Sequence, residues 1–145
     1  AASDVYKRQV TTQCTKNNGV SDGMAEFVCP LCATIHLSGS TITLTSCAMA
    51  VMVMTNQSIG FGKMFPFILM LGVTMVAAPG VPGGAVMAAL GILQSMLGFD
   101  ETMCGLMIAL YIAQDSFGTA CNVTGDGAIA VFMDAITGKK KAAAK

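Results

Sequence analysis

The chain has 145 residues, 54% of them apolar and 11% charged, with a mean hydropathy of +0.67. Soluble domains carry about 25% charge, so the balance is that of a membrane protein. Disorder is excluded because a chain this apolar has ample surface to bury. Nucleic-acid binding is excluded because eight basic residues against eight acidic ones leave no basic excess for a polyanion.

Residues 1–9 have neither membrane character nor a signal-peptide pattern and read as a non-native leader. Charges then become sparse. None of Asp, Glu, Lys or Arg occurs in residues 27–62 or in residues 64–99, two runs of 36 residues. A helix needs roughly 20 apolar residues to cross the hydrocarbon, so each run is of membrane length. Lys7, Arg8 and Lys16 precede the first run, Lys139, Lys140, Lys141 and Lys145 follow the last apolar block, and only Lys63 lies between. The positive-inside tendency then places both ends on the cytoplasmic side, which requires an even number of crossings. If the leader is not native, Lys7 and Arg8 carry no weight in that count.

The first block is apolar from Phe27 to Ile35, polar and glycine-containing from His36 to Ser40, and apolar again from Ile42 to Met54. A broken transmembrane helix is expected, with an unbroken one as the alternative. Cys29-Pro-Leu-Cys32 with His36 four residues on has the outline of a redox or zinc motif. Such a motif needs a soluble redox fold or a fourth ligand, so these cysteines read as packing residues.

The middle block has two apolar arms, Met64 to Ala78 and Ala85 to Leu97, separated by Pro79-Gly-Val-Pro-Gly-Gly84. That run cannot continue a helix. Each arm is ~20 Å long at 1.5 Å per residue, short of the ~30 Å hydrocarbon core. A re-entrant helical hairpin fits and satisfies the even-crossing requirement, with a kinked helix or a tight loop between two short spans as the alternatives. Bare backbone at its tip survives at membrane depth only inside protein or beside a water-filled cavity.

The last block, Thr102 to Thr137, is apolar but contains Asp115, Asp126 and Asp134. Asp115, Thr119, Asn122 and Asp126 fall at i, i+4, i+7 and i+11, so four oxygen-bearing side chains share a sector of about 60° on one helix face. A buried Asp costs ~2.5 to 3.5 kcal/mol on insertion scales, and no Lys or Arg occurs in any of the three blocks. A bound cation, a proton, a ligand amino group or a residue from elsewhere must compensate. Carboxylate, amide and hydroxyl oxygens suit hard cations such as Na+. Oxygen stripe, broken helix and hairpin tip together match the secondary-transporter pattern of discontinuous helices facing substrate and ion. Asp134 lies off the stripe, near the basic tail of residues 138–145, and is expected at the interface.

Three motifs, Leu31-Cys-Ala-Thr-Ile-His-Leu-Ser-Gly-Ser40, Pro79-Gly-Val-Pro-Gly83 and Asn122-Val-Thr-Gly-Asp126, carry a resemblance. In this order and spacing the chain resembles the C-terminal part of the dicarboxylate/amino acid:cation symporters, the family of the glutamate and aspartate transporters, over Val10 to Thr137. The resemblance implies a glutamate-transporter-like, all-α membrane fold. Val10 to Lys16 would end a first hairpin, Ala25 to Thr55 would be the broken seventh segment, Met64 to Leu97 the second hairpin and Thr102 to Thr137 the eighth segment. It implies that Asp115 holds the substrate's amino group, that Ser40, Thr119 and Asn122 are substrate contacts, and that the tip at Val81, Pro82, Gly83 and Ala85 closes over the substrate. It implies one sodium at Asp126 with backbone carbonyls of Cys32, His36 and Asn122. A second would sit among carbonyls of Thr34, Met75, Val76 and Ala78. It also implies homotrimers of the full-length protein in the cell membrane.

The departures from the family pattern sharpen the expectation. Gly118 stands where carriers of acidic amino acids have an arginine, and Tyr111 where that arginine's supporting aspartate would be. Glycine offers volume and no charge, so a neutral amino acid is expected, with an acidic amino acid or a dicarboxylate as the alternative. His36 to Ser40 replaces the family's usual Asn-Met-Asp-Gly-Thr, and Ser38 replaces an acid of a further sodium site. Because an unperturbed His titrates near neutral pH, H+ in place of Na+ stays open. Non-transport alternatives are a passive channel and an intramembrane aspartyl protease. The protease needs two carboxylates about 3 Å apart, whereas Asp115 and Asp126 would be ~16 Å apart along a continuous helix.

Overall fold

The computed structural model describes residues 4–143, with side-chain surroundings for residues 8–138. Residues 1–3 of the expected leader and 144–145 of the expected tail lie outside the described residues. Six helices and no strand occur among the described residues: α1 (Asp4–Asn17), α2 (Asp22–Ile35), α3 (Ser38–Met54), α4 (Phe61–Met75), α5 (Gly84–Leu97) and α6 (Glu101–Ala143). The fold is all-α.

α1 runs through residues 4–17 without a break between Gln9 and Val10, and α6 continues to Ala143 without a break at Gly138. The interruption of the first block is confined to His36 and Leu37, because Ser38, Gly39 and Ser40 already belong to α3. By length and composition, Asp22–Met54 is the stretch among the described residues long and apolar enough to cross a membrane. Phe61–Met75 and Gly84–Leu97 are apolar but shorter. α6 has 43 residues, yet its acids and amides keep it below the hydropathy of a span.

The chain divides into two compact units, one of residues 1–36 and 122–145, the other of residues 37–121. In the first, α1 packs on α2, and Val20, Ala25, Val28, Cys29, Cys32 and Ala130 form its core. Lys16 meets Glu26 at 2.6 Å and Asp22 at 3.4 Å. The hydrogen bond from Glu26 is the main reason its ammonium is held above the ordinary lysine range. In this unit the α2 N-terminus is closed by a distant side chain: Asp134 Oδ1 accepts the Ser21 hydroxyl at 2.5 Å, and Oδ2 accepts the Ser21 backbone N–H at 3.4 Å. A carboxylate there satisfies an orphan donor and complements the helix dipole.

In the second unit, α4 and α5 pack together, and both pack on α3. Leu44, Phe67, Leu71, Leu93, Leu97 and Met107 are among its fully buried core residues. Lys63, near the start of α4, donates from Nζ to the Leu97 carbonyl at the end of α5 at 2.9 Å, placing a cation on the negative pole of that helix. Gly98 ends α5 at φ 72, a left-handed stop that favours glycine. Asp100 then caps α6, its Oδ1 accepting the Met103 backbone N–H at 2.8 Å.

Candidate functional site

The glycine–proline segment forms the turn between α4 and α5. Pro79, Gly80, Val81 and Pro82 are exposed at its outside, while Gly83 and Gly84 are buried. Gly83 has φ 74, and a Cβ on Gly84 would run into the Pro79 carbonyl oxygen. Both positions therefore demand glycine. The tightness has a chemical result: the Gly83 backbone N–H points at α6 and donates to Asp115 Oδ2 at 3.3 Å. Ile112, one turn earlier on α6, lies against the same glycine. Tip and acid are thus brought together. Val81 and Pro82 stay on the outer side of the turn, and Ala85 is half-buried in the first turn of α5.

Around Asp115 the second unit assembles Tyr111, Gly118, Thr119 and Ser40. Tyr111 is fully buried and Ser40 is 4% exposed; Asp115 and Thr119 are half-buried. The Tyr111 hydroxyl is buried with Ser40 and Asp115 beside it. Gly118 is not open volume, contrary to the sequence expectation. A Cβ there would meet Thr43 Oγ1 at 3.2 Å and the Gly39 backbone at 3.5 Å, and a Cβ on Gly39 would run into the Gly118 carbonyl oxygen and approach Cys121 Cβ to 2.6 Å. The two glycines are where α3 and α6 cross at backbone contact, the role small residues play in membrane helices.

In the first unit Asp126 is 2% exposed and Asn122 8%. His36 Nδ1 lies 2.8 Å from Asp126 Oδ1. The imidazole rests on Gly125, where a Cβ would strike His36 Cε1. Sequence reasoning gave His36 a backbone carbonyl and an open proton-coupling role, and did not pair its side chain with Asp126. The one available signal was a titratable residue at a helix break, opposite an acid that needed compensation. Asp126 Oδ2 and the carbonyls freed at the break remain for a hard cation, so the donor chemistry fits Na+. The Cys32 carbonyl already accepts the His36 backbone N–H at 2.7 Å, which leaves it one lone pair for that role. No group of three His, Cys, Asp or Glu side chains that could hold a metal occurs among the described residues. Thr34 belongs to the first unit, and its hydroxyl donates to the Leu31 carbonyl at 2.7 Å. Met75, Val76 and Ala78 belong to the second unit at the end of α4, where the Met75 carbonyl accepts the Ala78 backbone N–H at 3.1 Å.

An all-helical chain with two carboxylates on one helix, one met by a hairpin-tip N–H and the other by an imidazole at a helix break, has the parts of a secondary transporter rather than of an enzyme. The sodium:dicarboxylate symporter family matches residues 9–136, and the chain belongs to that family. It is 29% identical to the human neutral amino acid transporter A over 111 residues, 77% of this chain and 21% of the relative. It is 27% identical to the human neutral amino acid transporter B(0) over 111 residues, 77% and 20%. It is 28% identical to the mouse excitatory amino acid transporter 5 over 125 residues, 86% and 22%. The chain spans about a fifth of the length of these relatives. No solved structure gives a significant match. The family consists of symporters, so the intramembrane protease alternative falls.

Proposed function

We propose that the chain is the C-terminal part of the transport domain of a multi-pass cell-membrane symporter that moves a neutral amino acid with Na+. The observation that carries this reading is the Gly83 N–H on the Asp115 carboxylate. A backbone N–H and a substrate ammonium are donors of the same kind, so the amino group replaces the Gly83 N–H and leaves the tip to close over the rest of the substrate. The exchange gives selectivity: an unpaired carboxylate in a closed, dry site is costly, so closure follows only when Asp115 has a cationic or donor partner.

The absence of Lys and Arg between Lys63 and Lys139 supports a neutral substrate. The crossing at Gly39 and Gly118 adds to it, because a side chain at Gly118 would crowd Thr43 and the Gly39 backbone. Asn122 and Thr119 supply uncharged donors for the substrate carboxylate. Na+ is a co-substrate taken at Asp126, with the His36 imidazole holding the other carboxylate oxygen. α4 and α5 form a re-entrant hairpin, and α2 with α3 a broken span. Outward-facing Phe65, Leu69 and Val73 on α4 and Phe117 on α6 are exposed, which suits lipid or the scaffold of a homotrimer.

The test is uptake by the longer protein carrying this chain, reconstituted in proteoliposomes. A Na+ gradient is expected to drive uptake of neutral amino acids above glutamate and aspartate, and Asp115→Asn to abolish it. Preference for an acidic amino acid would refute the neutral reading. Uptake driven by a proton gradient without Na+ would refute the ion assignment, and undiminished uptake by Asp115→Asn would refute the role of that carboxylate.

A further inference from the structure

The first unit holds a cleft of about 600 Å3 between the start of α2 and the far part of α6, a volume in the range of small-molecule sites. None of the groups gathered at Asp115 or Asp126 lines it. Met24 and Phe27 give it an apolar wall, and Phe27 is 66% exposed. Gly23 and Gly138 leave it open, since a Cβ on either would meet nothing within 4 Å. Its polar side chains are already engaged. Asp134 takes the Ser21 hydroxyl and backbone N–H, and the Thr137 hydroxyl donates to the Met133 carbonyl at 2.8 Å. The other acids of α2, Asp22 and Glu26, are met by Lys16. What the cleft still offers a ligand is apolar surface.

Position and charge narrow the occupant. Asp22–Met54 is the stretch among the described residues long and apolar enough to cross a membrane, and Gly23, Met24 and Phe27 belong to its first two turns. The cleft therefore opens at the membrane boundary, with Phe27 deeper than Gly23. At its other end three consecutive lysines, Lys139, Lys140 and Lys141, follow Gly138 in the same helix. Four lysines stand against a single acid, Asp134, in residues 130–145. An apolar wall reaching toward the hydrocarbon, with a cationic run at its water end, is complementary to an anionic lipid of the cytoplasmic leaflet. We propose that the cleft is a binding site for an anionic phospholipid, with an acyl chain on Phe27 and Met24 and the phosphate at residues 139–141. This rests on the reading that the chain lies in a membrane, and not on which substrate or ion it carries. A zwitterionic lipid would bring the same chains without the net charge, and a soluble phosphate would bring the charge with nothing for the apolar wall.

The experiment follows thermal unfolding of the longer protein carrying this chain, purified in a neutral detergent and stripped of lipid. Phosphatidylglycerol or phosphatidylcholine is added in mixed micelles, and inorganic phosphate is added alone. Phosphatidylglycerol is expected to raise the midpoint by mass action, half-saturating at a mole fraction about tenfold below phosphatidylcholine. Lys139→Gln, Lys140→Gln and Lys141→Gln together are expected to remove that preference. Gly23→Phe, whose ring has open space to enter, is expected to abolish the phosphatidylglycerol shift while keeping the lipid-free midpoint. If it fails to fold, Phe27→Gln, at a residue 66% exposed, makes the same comparison. Equal shifts from the two lipids, or no shift from either, overturn the proposal. A shift lost in the lysine variant but kept at both Gly23→Phe and Phe27→Gln assigns the lipid to the basic tail alone and overturns the cleft. The same shift from inorganic phosphate overturns the lipid. A longer protein that stays in solution without detergent overturns the membrane reading and this proposal with it, whereas failed amino-acid uptake with the lipid shifts intact overturns the transport reading alone.

Discussion

At the scale of single residues, the two acids of α6 solve one problem in different ways. Asp115 borrows a backbone N–H from the hairpin tip, a weak partner at 3.3 Å that a substrate can displace. Asp126 is tied to an imidazole at 2.8 Å, and the side-chain-free floor at Gly125 makes room for the ring. A hydrogen bond to a charged group contributes about 1.5 to 3 kcal/mol, and removing one partner leaves the other buried and uncompensated. His36→Ala is therefore expected to destabilise the protein by about 1–3 kcal/mol in Na+-free buffer. Added Na+ should recover part of that loss, since a ligand of the folded state stabilises it by mass action. Thermal unfolding with and without Na+, at ionic strength matched by choline, measures both; an unchanged Na+-free midpoint would remove the imidazole from any supporting role.

At the scale of elements, helix ends are where this chain spends its few charges. Lys63 closes α5 from the start of α4, Asp100 opens α6, and Asp134 reaches back to the start of α2. Asp134 was expected to be a plain interfacial acid. Its carboxylate is instead the N-terminal cap that α2 does not supply for itself, since Ser21 makes no side-chain cap bond to its own helix. Asp134→Ala is expected to cost about 1 kcal/mol, the usual loss of a cap, and to accelerate amide exchange at residues 21–24 while leaving α5 unaffected. Hydrogen exchange by mass spectrometry reads this directly, and uniform acceleration across both helices would assign Asp134 a global role instead.

At the scale of the molecule, each compact unit has its own core and its own buried thiols. Cys29 and Cys32 are buried in the first, Cys47 and Cys104 in the second, while Cys14 and Cys121 are exposed. Maleimide labelling of the longer protein in detergent, read peptide by peptide, is expected to modify none of the four buried thiols until the protein unfolds. Modification of Cys47 and Cys104 with Cys29 and Cys32 still protected would show that the two units open separately.

The sequence by itself determined the helical class, the breaks at His36 and at the glycine–proline turn, and the face of α6 on which Asp115, Thr119, Asn122 and Asp126 lie. All of these are local: proline and glycine stop helices where they stand, and a period of 3.6 residues sorts side chains onto faces whatever they later meet. The tertiary structure alone decided which groups pair across the chain. His36 meets Asp126 across a separation of 90 in the numbering, and Ser21 meets Asp134 across one of 113. Gly118 looked like open volume until the crossing of α3 and α6 at Gly39 showed it to be a contact point. A face is set by the spacing along one helix, but its partner is set by how closely two backbones can approach, and that depends on small residues far apart in the chain.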